Sequence, residues 1–250
     1  MKYYYYDSID STNNELRRRL DSDTIPEEFT VISAARQTKG RGRTGHIWES
    51  GQDASIATSI LLYPKELPDE AVAQITLPAA VAVCRALKEI CGIDAQIKWP
   101  NDVLFDFKKM CGILTERIGH SVIVGIGLNV LKNSYPDSLK DSAISIEEIL
   151  HKDFLDSNIS ERLTKKIWED FLELYNKLLH EKNLSFLQDE YQNRLIGTGK
   201  NILIIEPEKS FEARAHGIDS FGKLIVETED GQILAIDSGE VHVRGVDGYI

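Results

Sequence analysis

The chain has few cysteines, and no two of its three fall at CxxC spacing, so neither a disulfide framework nor a zinc site is indicated. Cys84 and Cys91 lie seven residues apart in an apolar helical pattern, which marks both as core residues. The six histidines do not cluster at metal-ligand spacing, and no metal ligands are assigned. Positive charge is scarce too: 29 basic residues stand against 40 acidic ones, a formal net charge of −11. Such a chain repels nucleic acid as a whole, and its first residues carry neither a basic face nor a helix-turn-helix. Long apolar runs are missing, as is the basic, apolar, small-residue order of a secretory leader. These absences predict a soluble cytoplasmic protein that binds neither nucleic acid nor membrane. Its 250 residues leave room for one large domain and a small one.

Against this acidic background one segment stands out, Arg36-Gln37-Thr38-Lys39-Gly40-Arg41-Gly42-Arg43-Thr44-Gly45, with four cations and three glycines in ten residues. Glycine lets a backbone approach a ligand closely, and arginine presents a planar fork of donors that suits phosphate or carboxylate. Taken alone, the segment reads equally well as an anion site or as a solvated basic loop.

Around it, Tyr3 to Tyr6 reads as a packed strand, and Asp10 to Glu15 as a helix start with Thr12 and Glu15 at capping-box spacing. Phe29 to Ala35 and Ser55 to Tyr63 read as strands, joined by a long loop from Gln37 to Ala54. Ala71 to Ile90 is an apolar helix stopped by Gly92, with Pro78 marking a kink or a second start. Ala95 to Trp99, Val103 to Phe107, Gly112 to Arg117 and Ser121 to Val130 suggest an antiparallel meander. Leu131 to Ser142 reads as a mobile loop. Leu163 to Leu179 follows helical periodicity, and a shorter helix covers Ser185 to Leu195. From Asn201 onward, short alternating strands with tight turns at Ser220-Phe221-Gly222, Asp230-Gly231 and Ser238-Gly239 suggest a small β-barrel.

Two further motifs carry polar or bare surfaces. Lys98-Trp99-Pro100-Asn101-Asp102 makes a rigid turn at strand ends, followed by Lys108-Lys109-Met110-Cys111-Gly112-Ile113-Leu114. Gly125-Ile126-Gly127-Leu128-Asn129-Val130 alternates glycine within a strand, leaving one face open to a backbone or a flat ligand.

In this order the motifs resemble those of biotin–protein ligases, in the short form without an N-terminal DNA-binding domain. The resemblance runs from Asp10-Ser11-Thr12-Asn13 through Gln37 to Gly45 with Trp48, the Lys98 to Asp102 turn, Lys109 to Leu114 and Gly125 to Asn129. It ends at Gly239-Glu240-Val241-His242-Val243-Arg244. It implies an α+β fold: a class II synthetase-like catalytic domain of mixed sheet and packed helices over 1–197, then an SH3-like barrel over 198–250. It also implies a two-step reaction, in which ATP and biotin give biotinyl-5′-adenylate and the acyl group then passes to a lysine of a biotin carboxyl carrier protein. Mg²⁺ is implied by the ATP chemistry.

By that resemblance Ser11, Thr12, Asn13 and Gln37 would hydrogen-bond the ureido ring, and Gly125 and Gly127 would admit it against backbone. Arg41, Gly42, Arg43 and Lys109 would meet the carboxylate or acyl phosphate, with Lys39 in support. Trp48, Asn101, Asn129 and Arg244 would hold the nucleotide. Asp102 would either position or deprotonate the acceptor lysine, or orient Lys109 or a metal. The departures are small: Thr44 stands where a basic residue also occurs, and Met110-Cys111 replaces a small apolar pair. A lipoate or octanoate ligase or transferase of the same fold is the alternative enzyme, and a non-catalytic sensor of biotin-adenylate the alternative binder. A homodimer is compatible with the sequence, and nothing in it supports a repressor role.

Overall fold

The computed structural model describes residues 1–49, 51, 53–65, 67–150, 158–206, 208–238 and 242–245. Gly239, Glu240 and Val241, expected in the C-terminal motif and in a turn, lie outside the described residues. Among the described residues twelve strands run in chain order: β1 (Lys2–Tyr6), β2 (Thr30–Ala34), β3 (Ser55–Leu62), β4 (Gln96–Lys98), β5 (Asp102–Phe105), β6 (Lys108–Ile118), β7 (Ser121–Asn129), β8 (Asn201–Ile205), β9 (Ser210–Ile218), β10 (Leu224–Thr228), β11 (Ile233–Ile236) and β12 (His242–Gly245). The helices are α1 (Thr12–Leu20), α2 (Thr76–Cys91), α3 (Ile146–Leu150), α4 (Ile159–Glu181) and α5 (Gln188–Arg194).

Seven strands form a mixed sheet in the order β1-β2-β3-β7-β6-β5-β4, parallel at β1–β2 and antiparallel elsewhere. The expected meander is its β4-to-β7 half. Because strand side chains alternate, each face has its own cover. Leu16 of α1 packs with Ile32, Leu61 and Ile123 on one face. On the other, Trp168, Phe171 and Tyr175 of α4 join α2 and the larger core. Five more strands form an antiparallel sheet in the order β11-β10-β9-β8-β12, where the small barrel was expected.

Local chemistry explains most boundaries. Gly92 takes φ 69° at the end of α2, a left-handed conformation that costs glycine little. Pro78 sits in the first turn of α2 behind a 3-10 segment at Asp69–Ile75, so the second start is what forms. Four readings are corrected. Ser11, not Thr12, precedes α1, and it makes no side-chain cap, so no capping box exists. Glu15 instead accepts from Tyr6, Arg18 and Arg19. In β1 only Tyr4 and Tyr6 pack inward, while Tyr3 and Tyr5 are exposed. The expected mobile loop contains 3-10 turns at Lys132–Ser134 and Asp137–Leu139, and it is pinned where buried Ser134 donates to the Ala54 carbonyl at 2.5 Å. Of the two cysteines read as core, Cys84 is fully buried and Cys91 only partly.

Candidate active site

Register builds the site on the α1 face of the sheet. Gly125 on β7 lies between Ser59 on β3 and Leu114 on β6, and Gly127 lies between Ala57 and Gly112. Small residues at the centre of this face leave a hollow that the N-terminus of α1 and the Gln37–Trp48 loop wall in. The result is a cavity of about 260 Å³. Ser11, Thr12, Asn13, Gln37, Arg41, Gly42, Arg43, Trp48, Asn101, Asp102, Lys109, Gly125 and Gly127 all line it. Of the fifteen residues expected to hold ligand or do chemistry, thirteen are thus brought together; Lys39, expected in support, does not line the cavity.

The two exceptions differ. Asn129 is buried away from the cavity, donating to the carbonyls of Lys109 and Ile144 at 3.4 and 3.2 Å, while its Oδ1 has no hydrogen-bond partner. Arg244 does not reach the wall, but on β12 it shares a strand face with His242, which does.

The cavity has two unlike ends. One is a neutral polar floor. Ser11, Thr12 and Asn13 are buried at the start of α1. Gln37 Oε1 accepts from the Thr12 N–H at 2.8 Å, and Ser59 Oγ lies 2.7 Å from Thr12 Oγ1 and 2.6 Å from Asn13 Oδ1. The bare glycine face serves protein first: a Cβ on Gly125 would stand 2.2 Å from Asn13 Oδ1, and one on Gly127 would stand 2.4 Å from the Trp48 indole.

The other end is cationic. The loop doubles back on itself, with Gly42 N–H donating to the His46 carbonyl at 2.7 Å and Trp48 N–H to the Gly40 carbonyl at 3.0 Å. Thr44 (φ 50°) and Gly45 (φ 80°) make its tip. The close approach falls at Gly40, where a Cβ would meet the Trp48 carbonyl at 2.2 Å. This fold sends the two arginines opposite ways. Arg41 points back to Glu116 at 2.9 Å, while Arg43 donates to Asn101 Oδ1 at 3.0 Å and to the Ser238 carbonyl at 2.5 Å.

The Trp99–Pro100 bond is cis, and the turn it belongs to leads into β5, whose first residue, Asp102, places its Oδ1 2.7 Å from Lys109 Nζ. The Lys109 ammonium also lies 5.6 Å from the Trp48 ring centroid. Burial pushes the pKa of Arg43 down, opposed by Asp102. Burial lowers Lys98 as well, with Lys109 and Arg244 adding to the effect and Asp102 opposing it. His242 is lowered by burial first and then by Arg43, His46, Arg244 and Lys98. Three cations are thus disfavoured in one place, and Asp102 is the only carboxylate among the described lining residues. An end built this way gains by taking in an anion. No group of three or more His, Cys, Asp or Glu residues that could hold a metal ion is present among the described residues.

Sequence reasoning passed over Ser59, Glu116, Lys98, His46 and His242. Lys98 and His242 lay inside quoted motifs, but their roles depend on neighbours far along the chain. Ser59 and Glu116 carried no local signal, because only the register of β3, β6 and β7 aims them at the floor.

The sequence profile of the Biotin/lipoate A/B protein ligase family matches residues 5–133, and that of the Biotin protein ligase C terminal domain matches residues 197–244. The Bifunctional ligase/repressor BirA of Bacillus subtilis (strain 168) is 32% identical over 249 residues, covering 96% of this chain and 73% of that protein. The Biotin–[acetyl-CoA-carboxylase] ligase of Mycobacterium tuberculosis is 28% identical, covering 94% of this chain and 86% of its own length. Among solved structures, the biotin protein ligase from Aquifex aeolicus in complex with biotin and ATP superposes with a TM-score of 0.82 at 31% identity. The match covers 98% of this chain and 99% of that one.

Proposed function

This chain belongs to the biotin/lipoate A/B protein ligase family, and we propose that it joins biotin to a carrier protein at the cost of ATP. The carrying observation is the cavity's polarity, a neutral hydrogen-bonding floor at one end and crowded cations around one carboxylate at the other. A ureido ring suits the first, and a carboxylate meeting a phosphate suits the second. The Aquifex relative binds biotin and ATP, and the Mycobacterium relative is named for acetyl-CoA carboxylase. The acceptor is then a lysine of a biotin carboxyl carrier domain.

In the first step a carboxylate oxygen of biotin attacks the α-phosphorus, the bond to the bridging oxygen breaks, and pyrophosphate leaves. Arg43 and Lys109 offset the repulsion between two anions and stabilise charge on the phosphoryl oxygens; one such donor contributes about 2–4 kcal/mol. Asp102, 2.7 Å from Lys109, holds that ammonium in place, and Trp48 offers a ring to the adenine. Arg244 and His242 approach the β- and γ-phosphates from the C-terminal module, residues 198–250, while 1–197 supplies the rest. Asn129, behind the wall, supports the backbone of Lys109 rather than touching nucleotide. With no carboxylate cage among the described residues, Mg²⁺ would be held mainly by the nucleotide's own phosphates. In the second step a neutral lysine amine attacks the acyl carbonyl, AMP leaves and a proton is released. Asp102 can accept that proton only by loosening its hold on Lys109. We place the protein in the cytoplasm, where cysteines outside any disulfide framework are the rule.

The floor also argues against lipoate and octanoate. Neither acid carries hydrogen-bonding groups at its far end, so neither would make use of the acceptors the floor offers beyond its own internal bonds. The test is exchange of labelled pyrophosphate into ATP with biotin, lipoate or octanoate as the acid. Exchange driven by biotin alone is expected. Exchange with lipoate would move the assignment to the other branch of the family, and biotin binding without exchange would make the protein a sensor.

A further inference from the structure

Beneath the floor runs a chain of hydrogen bonds whose direction follows from valence. It starts at Glu116 on β6. Its Oε1 meets Arg17 Nη2 at 3.1 Å and Arg41 Nη1 at 2.9 Å, and its Oε2 lies 2.8 Å from Asn13 Nδ2. A carboxylate between two guanidinium groups only accepts, so Asn13 turns its NH2 toward Glu116 and its carbonyl away. That carbonyl is 2.6 Å from Ser59 Oγ and accepts as well, which commits the one hydroxyl proton of Ser59. Ser59 Oγ is also 2.7 Å from Thr12 Oγ1, and having no proton left it must accept there from Thr12. Gln37 Oε1, fixed as an acceptor by the Thr12 N–H at 2.8 Å, stands 3.1 Å from the same Thr12 hydroxyl. With its proton directed along the shorter contact to Ser59, Thr12 Oγ1 and Gln37 Oε1 are left as neighbouring acceptors, on residues that line the cavity.

We propose that Glu116 is a positioning residue: through Asn13 and Ser59 it orients the Thr12 hydroxyl so that the floor accepts a hydrogen bond from a ureido N–H. This rests on the reading that biotin places its ring on this floor. Glu116 itself does not line the cavity, so its action is relayed. Glutamine at 116 can offer its own NH2 to Asn13, which turns the amide over and lets Ser59 and Thr12 reverse. The Thr12 proton then points toward Gln37 Oε1, and the acceptor pair is lost.

The experiment is calorimetric titration of biotin, and of each biotin mono-methylated on a ureido nitrogen, into wild type, Glu116→Gln, Ser59→Ala and the double variant. Each single change should weaken biotin binding about tenfold. The double should be no weaker than the worse single, because both cut one relay. At least one methylated biotin should bind wild type poorly, and both single variants should narrow that discrimination. ATP affinity should stay within about twofold of wild type. Losses that multiply in the double variant, or unchanged discrimination despite weaker binding, would mean a merely structural contact and overturn the proposal. So would wild-type biotin affinity in Glu116→Gln. If Glu116→Gln does not fold, the discrimination in Ser59→Ala decides alone. Wild-type protein that ignores biotin would instead sink the functional reading beneath.

Discussion

Two positions apart in the same loop, Arg41 and Arg43 are chemically identical and structurally opposed. Arg41 is held at the floor end by Glu116 and by Asn14 Oδ1 at 3.2 Å. Arg43 is half-buried, donating to neutral oxygens of Asn101 and Ser238, and its desolvation is opposed by the longer-range pull of Asp102. A guanidinium so placed gains most from an incoming anion. Arg43→Ala should therefore lower biotin-dependent pyrophosphate exchange by about 10²–10³-fold. Arg41→Ala should act more on biotin affinity than on rate. Since the Arg43 side chain fills no core, the melting temperature of its variant should fall by only a few degrees; wild-type exchange in it would remove the assignment. Asp102 invites a sharper test. Its bond to Lys109 predicts that Asp102→Asn slows adenylate formation about tenfold or more and spares transfer from preformed biotinyl-adenylate. Rapid-quench measurement of the two half-reactions checks this. A loss confined to transfer and recovered at high pH would make Asp102 the base.

At the scale of elements, β7 shows why glycine placement was legible and its purpose was not. Alternating Gly125 and Gly127 announce a bare strand face from sequence alone. What lies against that face depends on partners about a hundred residues away: Asn13 from α1 for one, Trp48 from the loop for the other. The consequences differ accordingly. Asn13 Oδ1 is fixed by Ser59 and cannot give way, so Gly125→Ala should cost about 1–3 kcal/mol and several degrees of melting temperature, along with biotin binding. The Trp48 side chain comes from a loop and can swing, so Gly127→Ala should keep its stability, shift tryptophan fluorescence and raise the KM for ATP. Equal loss of stability in both variants would contradict this distinction. The same limit explains the other misses. Period-2 patterns recovered β3 and β7 nearly to the residue, and the 3.6 period recovered α4 but not its first turn, because burial on one face imposes these patterns locally. They could not say that β3 pairs with β7, whose register puts Ser59 beside Gly125. The capping-box spacing of Thr12 and Glu15 misled for a related reason, since tertiary contacts with Gln37 and Tyr6 claimed both residues.

Across the whole molecule, the C-terminal sheet is tied to the rest by a shared core and by specific bonds. Ile202, Ala213, Val226 and Val243 belong to the same buried cluster as α2 and α4. Trp99 Nε1 donates to the Gly222 carbonyl at 3.0 Å, so the turn that supplies Asp102 is anchored on the C-terminal sheet. Arg43 reaches Ser238, and the His46 and His242 rings meet edge-on at 6.3 Å. The strands of this second sheet begin at Asn201, and the nucleotide end proposed above draws on both sheets. That arrangement predicts a pH dependence. His242 has its pKa lowered below 6.5 by burial and by Arg43, His46, Arg244 and Lys98. In the free protein its contribution to folding is complete above the unfolded value of about 6.5. It weakens as pH falls from there through the lower native value, since the unfolded chain takes the proton more readily. A triphosphate placed among the same cations reverses the sign, favouring protonated His242 and raising its pKa in the complex. Nucleotide binding should then take up a proton, and affinity should gain between about pH 8 and about pH 6 relative to a His242→Asn variant, whose own trend reports ATP's phosphate ionisation. Calorimetry in two buffers of different ionisation enthalpy measures the uptake directly. Equal uptake and parallel pH profiles for wild type and His242→Asn would show that the C-terminal sheet does not reach the phosphates, and would confine the nucleotide site to the large sheet and its loop.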